Sequence, residues 1–425
     1  MKVFKFGGAS IKDATSIKRV ADILEQYQGQ SILIVVSALG KTTNALEAVT
    51  RAYFDKTGNA HDLFETLKAL HFDILSGLFH DSNHPVYDEL NNTFVEIEWI
   101  LEDPPIENYD YLYDQIVSIG EMAATKIVCA YLLSRKIPAQ WLDVRDCIRT
   151  DNTYREGKVD WDLTEKNIVQ KIPPLKRKQF VITQGFLGGT SENYTTTLGR
   201  EGSDYTAAIF AYALNAEEVT IWKDVPGVLN ADPRYFPDAK LIPMLSYHEA
   251  IEMTYYGASV IHPKTIKPLQ NKKIPLQVRS FLQPEKNGTV IKELSAIDLQ
   301  SMEADSPVIV LKTNQILLSM SARDFSFIAE DNLSYIFAIL SAHRIKINLM
   351  QNAAISFSIC ADNTGQIPAV INQLSNSFNV RSNEGLSLLT IRHYTDAVID
   401  KYAGHKTVLL EQKSRHTLQL VIKET

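Results

Sequence analysis

Apolar positions along the first 300 residues follow two rhythms. Ile32–Val36 and Phe180–Ile182 are unbroken apolar runs, with Val3–Phe6 and Val219–Trp222 as short companions. An unbroken run reads as a parallel strand covered on both faces. Elsewhere apolar residues recur three and four apart, as at Ile17, Val20, Ala21 and Leu24, which predicts amphipathic helices. Residues 46–114 are helical in pattern and poor in glycine, and read as a helical lid or insertion. Strands alternating with helices predict an α/β domain with a mostly parallel sheet.

The pattern changes near residue 292, where a charged stretch, 292–306, reads as a linker. Beyond it come a strand at Ile316–Met320, a helix at Ser334–His343 and strands at Ile345–Met350 and Ile355–Cys360. A helix at Ile367–Phe378 and a strand at Leu386–Ile391 follow, which makes a β-α-β-β-α-β unit of ferredoxin-like type. The tail has two more strand patterns, Val408–Glu411 and Leu418–Ile422, and is too short for a second full unit.

Chemistry concentrates where the first-half strands end. Gly7 and Gly8 follow Val3–Phe6, and a helix begins near Asp13. Taken alone the two glycines read as a tight turn, or as a backbone cradle for phosphate; the Walker spacing is absent. Ser37 to Asn44 is a loop of donors after the second strand, and Val117 to Glu121 is expected to open a helix with Glu121 in its first turn. After Phe180–Ile182 come Gly185, Gly188 and Gly189, then Thr195–Thr197 and the segment Leu198 to Asp204, LGREGSD. Helical spacing then starts at Tyr205, so Ser203 and Asp204 are delivered to a helix N-terminus, which suits an anion. Both are also favoured caps. Arg200 adds a fork that fits a carboxylate.

In order, VITQGF, TTTLGREGSDYTA and WKDVPGVLNADPR closely resemble the aspartokinases of the amino-acid kinase superfamily. The resemblance covers nearly the whole chain; only the lid and tail are loose. It implies a three-layer amino-acid kinase domain over 1–295, with the lid at about 46–114, and an ACT regulatory region over 296–425 whose second unit is reduced. The implied reaction moves the γ-phosphoryl group of ATP to the side-chain carboxylate of L-aspartate, opening lysine, threonine and methionine biosynthesis. Carried over residue by residue, Lys5 and Asp204 are catalytic. Ser37, Thr43, Glu121, Arg200 and Ser203 bind aspartate, with Glu121 on the ammonium. Lys5, Gly7, Gly8, Lys223, Asp224 and Arg234 bind ATP, and Mg²⁺ needs no protein cage, Asp204 reaching it through water. The family's usual lysine is replaced by Ser259; Lys223, or less strongly Lys264, restores the charge. Ser321, Asp324, Asn348, Gln351 and Asn352 are the expected effector residues, for threonine or lysine, in a homodimer. Uncharged Gln351 and Asn352 tilt that expectation toward threonine. A kinase for glutamate or acetylglutamate, and a catalytically silent homologue that binds effector, are the alternatives.

Composition narrows the partners. The 425 residues are 45% hydrophobic and 22% charged, an ordinary globular balance. A net charge of −7 speaks against nucleic acid. The start, MKVFKFGG, has no secretory pattern, and no uninterrupted apolar stretch is long enough to span a membrane. Cys129, Cys147 and Cys360 lie far apart, which fits free thiols in the cytoplasm. His71, His80 and His84 lack any accompanying metal-site pattern.

Overall fold

A computed structural model of the protein describes residues 1–175, 179–258, 261–295, 307–324 and 326–423. The chain clusters into two compact units. The first is Met1–Val228, Leu241–Ile251 and Val260–Glu293; the second is Leu229–Lys240, Glu252–Ser259 and Leu294–Thr425. Most of the expected linker, 296–306, lies outside the described residues.

In the first unit β1 (Lys2–Phe6), α1 (Ala14–Glu25), β2 (Ile32–Val36), α2 (Thr42–Phe54), α3 (Ala60–Leu78), α4 (Val86–Glu102) and α5 (Tyr109–Ser134) come first. β3 (Ala139–Leu142), α6 (Trp161–Leu175), β4 (Phe180–Gln184), the hairpin β5 (Leu187–Gly189) and β6 (Thr195–Thr197), α7 (Gly202–Leu214) and β7 (Glu218–Lys223) follow. β8 (Met244–Ser246), α8 (Tyr247–Tyr256, of which residues 252–256 belong to the second unit), α9 (Pro263–Asn271), β9 (Leu276–Ser280) and β10 (Thr289–Lys292) complete the run. The sheet order is β3-β4-β2-β1-β7-β9-β10-β8, parallel except at the β9–β10 pair. The expected mostly parallel sheet is therefore present.

Strand alternation sorts the side chains between two helical layers. Phe4, Phe6, Ile32, Ile34, Val36, Phe180, Ile182 and Trp222 join one core with buried residues of α1 to α5. The opposite set includes Lys5, whose carboxylate partner Asp204 comes from α7. Helices α2, α3 and α4 lie in the 42–102 stretch and bury residues in that core. α5 has the length and apolar composition of a membrane span, yet 83% of its most apolar window is buried inside the protein, as a core helix.

In the second unit β11 (Val308–Ala322), α10 (Glu330–Ala342), β12 (Ile347–Asn352), β13 (Ser356–Asp362), α11 (Ile367–Leu374), β14 (Phe378–Arg392), α12 (Asp396–Ala403), β15 (Thr407–Lys413) and β16 (Thr417–Lys423) form one antiparallel sheet with helices. Its order is β12-β13-β11-β14-β16-β15. The two central strands are far longer than their expected apolar segments. Register shifts at Lys312, Gln315 and Leu317 break β11 into two stretches. Residues 315–321 pair with β13, whereas the far stretch of β14, Leu386–Arg392, pairs with β16. Each half has its own core: Ile336, Ile339, Val370 and Leu374 serve the first, Ile309, Ile391, Leu418 and Leu420 the second. The short tail thus builds its half by borrowing continuations of strands already in use.

Candidate active site

β1, β2, β4 and β7 are parallel neighbours, so their C-terminal ends share one edge, the edge at which open α/β sheets bind ligands. Gly7 and Gly8 follow β1, Ser37 to Thr43 follow β2, Gly185 follows β4, and Lys223 ends β7. Three close approaches make glycine necessary here. A Cβ on Gly8 would sit 2.7 Å from the Gly40 carbonyl oxygen and 2.9 Å from that of Ala38. One on Gly185 would sit 2.5 Å from Cβ of Ser203, so α7 reaches β4 only because the side chain is missing. One on Gly120 would sit 2.9 Å from Cγ2 of Thr42, which lets α5 press against the start of α2. Gly8→Ala should displace the 37–40 loop and cost about 1–3 kcal/mol of stability; thermal melts check it.

Asp204 is 3% exposed in the first turn of α7, and Lys5 is 9% exposed at the end of β1. Lys5 Nζ lies 2.7 Å from Oδ1 of Asp204. Lys223 Nζ lies 3.8 Å from Oδ2. Burial pushes the Asp204 carboxyl up, but Lys5 and Lys223 outweigh it and hold it below the usual range. The two lysines converge on a buried carboxylate beside the backbone of Gly7. Such a site suits a polyanion. Of the two candidate substitutes for the missing family lysine, the structure brings Lys223 to Asp204, while Lys264 is exposed at the start of α9. Ser259 lies outside the described residues.

Glu121 is a correction. It stands in the middle of α5, which begins at Tyr109 under an Asn108 cap, so no helix dipole stabilises it. The carboxylate is instead 2% exposed, with the backbone N–H of Ala38 as partner and Oε2 without a partner among the described residues. Burial pushes its pKa up to about 8. A buried carboxylate with an unused oxygen requires a cation to be stable in its charged form. Through Ala38, Glu121 borders the loop that carries Ser37 and Thr43, both half-buried.

Arg200 is exposed, and no ion pair to it is present among the described residues. Ser203 is half-buried against Gly185, and Asp224 is exposed just beyond β7. Arg234 belongs to the second unit, in Leu229–Lys240, where its guanidinium meets Asp232 at 2.6 Å.

The three threonines of β6 face inward. Arg145 Nη1 donates to Thr195 Oγ1 at 3.0 Å, Thr150 and Thr196 share a hydrogen bond of 2.6 Å, and Thr197 Oγ1 donates to Asp114 at 2.7 Å. They stiffen the hairpin ahead of Arg200. Asp114 is a residue that sequence reasoning missed; its signal is a carboxylate seven places before Glu121, hence on the same helical face.

In the second unit Ser321 pairs in register with Ser356, and Asn352 with Phe357, so both lie at one end of the sheet with Gln351. Asp324 accepts from Ser326 N in the loop before α10, and that loop is tied to the β12–β13 turn by Ile328 N donating to Ala354 O. Asn348 is set apart from this group. It accepts from Lys312 and donates to Gln315 and Asp362 beside the bulge.

Residues 1–280 match the family model described as Amino acid kinase family. The chain is 32% identical to lysine-sensitive aspartokinase 3 of Escherichia coli (strain K12) over 406 residues, covering 92% of this chain and 86% of that protein. Its fold is similar to that of E. coli aspartokinase III in complex with lysine and aspartate, with a TM-score of 0.84, 29% identity, and 100% and 96% of the two chains covered. The complex of the same enzyme with aspartate and ADP gives a TM-score of 0.81 at 29% identity and the same coverage. The family match, the relative's coverage and a glycine-edged sheet that gathers Lys5, Asp204 and Lys223 agree with one another: this chain belongs to the aspartokinases of the amino acid kinase family.

Proposed function

We propose that the protein transfers the γ-phosphoryl group of ATP to the side-chain carboxylate of L-aspartate, giving 4-phospho-L-aspartate. The observation that carries this reading is Glu121, a buried carboxylate with an unused oxygen beside the Ser37–Thr43 loop. A free α-ammonium supplies the missing cation, and Arg200 takes the α-carboxylate. N-acetylglutamate has no ammonium and would leave Glu121 unpaired, which disfavours that alternative.

A carboxylate acceptor is already ionised at neutral pH, so the transfer needs no general base. The chain's task is to place the acceptor in line and to neutralise charge on the moving group. Lys5 serves that charge, the Gly7 and Gly8 amides lie against the phosphates, and Asp204 keeps Lys5 and Lys223 aimed. Mg²⁺ bound to the phosphates adds further charge neutralisation when present. Asp204 fits an outer contact to it through water, since lysines already engage both carboxylate oxygens.

The relative named lysine-sensitive motivates an effector reading for the second unit. Ser321, Asp324, Gln351 and Asn352 are the residues we assign to an amino-acid effector, with lysine and threonine as the two candidates. Calorimetry of the intact protein against each should show binding of one, with loss of activity at the same concentration. Phe327, Phe337, Met350 and Ile355 are exposed on this unit and supply an apolar surface for a homodimer. Buried free thiols at Cys129, Cys147 and Cys360 suit a cytoplasmic setting.

The deciding assay offers ATP with L-aspartate, L-glutamate or N-acetylglutamate and traps acyl phosphate with hydroxylamine. Hydroxamate from aspartate, well above the other two, is expected. Product from glutamate or N-acetylglutamate in preference would overturn the assignment.

A further inference from the structure

Asp114 is fully buried on α5, seven residues and about 10 Å along the helix before Glu121. Its Oδ1 accepts from the Thr197 hydroxyl at 2.7 Å, and Oδ2 accepts from the backbone N–H of Thr197 and of Arg155, each at 2.9 Å. Gln115, next along the helix, clasps Thr195 as well: its Nε2 donates to the carbonyl oxygen at 2.9 Å and its Oε1 accepts from the N–H at 3.2 Å. Burial pushes the Asp114 carboxyl up to about 6, against the hydrogen bonds from Arg155 and Thr197 that favour its charge. The group is therefore mostly ionised at neutral pH and takes its three bonds as an acceptor.

These bonds matter because β6 leads straight to Arg200, which lies three residues beyond Thr197, across Gly199 at φ +75°. One helix thus carries Glu121 directly and, through Asp114 and Gln115, grips the strand that leads to Arg200. Resting on the reading of Glu121 and Arg200 as the aspartate clamp, we propose that Asp114 is a positioning residue that fixes how far that clamp holds the α-carbon from the phosphoryl-transfer edge at Lys5 and Asp204. By fixing that distance, Asp114 selects a four-carbon amino dicarboxylate, whose side-chain carboxylate just reaches the transferring group, over the five-carbon one.

A bulkier or longer acceptor is rejected only if the clamp cannot give. Cutting the Asp114 bonds frees β6 from α5 on the Arg200 side while leaving Lys5, Asp204 and the glycines untouched. The effect should appear in the aspartate terms and in discrimination, not in the terms for ATP. Asparagine at 114 can still accept both backbone N–H groups with its amide oxygen and donate to the Thr197 oxygen, so it should restore much of what alanine loses.

The test measures kcat/KM for aspartate and for glutamate, with KM for ATP, in Asp114→Ala, Asp114→Asn and Thr197→Val of the full chain. Asp114→Ala should raise the KM for aspartate and lower the aspartate-over-glutamate ratio at least tenfold, with the KM for ATP within about twofold of wild type. Asp114→Asn should recover most of the ratio. Should Asp114→Ala not fold, Thr197→Val, which removes only the hydroxyl bond, should lower the ratio severalfold. An unchanged ratio in the folded variant, or equal rises in both KM values, would show Asp114 to be structural only and overturn the proposal. A wild-type protein that makes no acyl phosphate from aspartate would instead sink the functional reading beneath it.

Discussion

Lys5→Ala should lower kcat at saturating ATP and aspartate by about 10²–10³-fold, the usual loss when one preorganised charge donor is removed from a transition state. ATP binding should weaken far less, because the glycine backbone and Lys223 remain. The variant also leaves Asp204 with Lys223 at 3.8 Å and without Lys5, so its carboxyl should move back up. Lys5→Arg should not restore the rate, because a planar guanidinium does not reproduce the compact ammonium that meets Asp204 at 2.7 Å. Near-normal kcat in Lys5→Ala, with binding of ATP measured separately, would remove Lys5 from the catalytic role.

Glu121→Ala should cut kcat/KM for aspartate by about 30–150-fold, the equivalent of 2–3 kcal/mol for a lost charged hydrogen bond. The KM for ATP should stay close to that of wild type. The same residue gives a stability effect of opposite sense. Its folded pKa, about 8, lies above the ordinary 4.5, so the free folded protein holds this proton more tightly than the unfolded chain does. That contribution to stability is complete below about pH 4.5 and is lost as pH rises through 8. Glu121→Gln, which stays neutral, should therefore melt at a higher temperature than wild type at pH 8 and at a similar one near pH 4.5. A side chain that costs stability in the free protein, yet is needed for the amino acid, is the expected signature of a binding group. A melting difference independent of pH would contradict it.

Much of the first unit is legible in the sequence because its signals are local. The unbroken apolar run of β2 could only be a strand covered on both faces, and LGREGSD followed by helical spacing locates Asp204 at the start of α7. Glu121 is easily misplaced within its helix because Ser118 and Gly120 look like a helix opening. Gly120 is there for close packing on Thr42, and the true cap, Asn108, is more than two turns earlier. The threonines of β6 look available to a ligand, but their partners, Arg145, Thr150 and Asp114, are 45 or more residues away in the chain and leave no local trace. In the second unit the polar residues Lys312 to Gln315 hide the continuity of β11, since a bulge permits polar side chains where an unbroken strand would place apolar ones. Asn348 groups with Gln351 and Asn352 by proximity in sequence, although four residues along a strand span about 13 Å and its hydrogen bonds lie at the bulge.

The central claim is that an amino-acid ammonium is the missing partner of Glu121, and proton release on binding tests it most directly. Calorimetry of L-aspartate binding in the presence of ADP, at pH 7 in buffers of different ionisation enthalpy, counts the protons that leave. Glu121, with its pKa of about 8, is mostly protonated in the free protein at that pH and must give up its proton to face an ammonium. Wild type should release close to one proton per aspartate bound and Glu121→Gln none; release of no proton by wild type, or of the same number by the variant, would contradict the assignment.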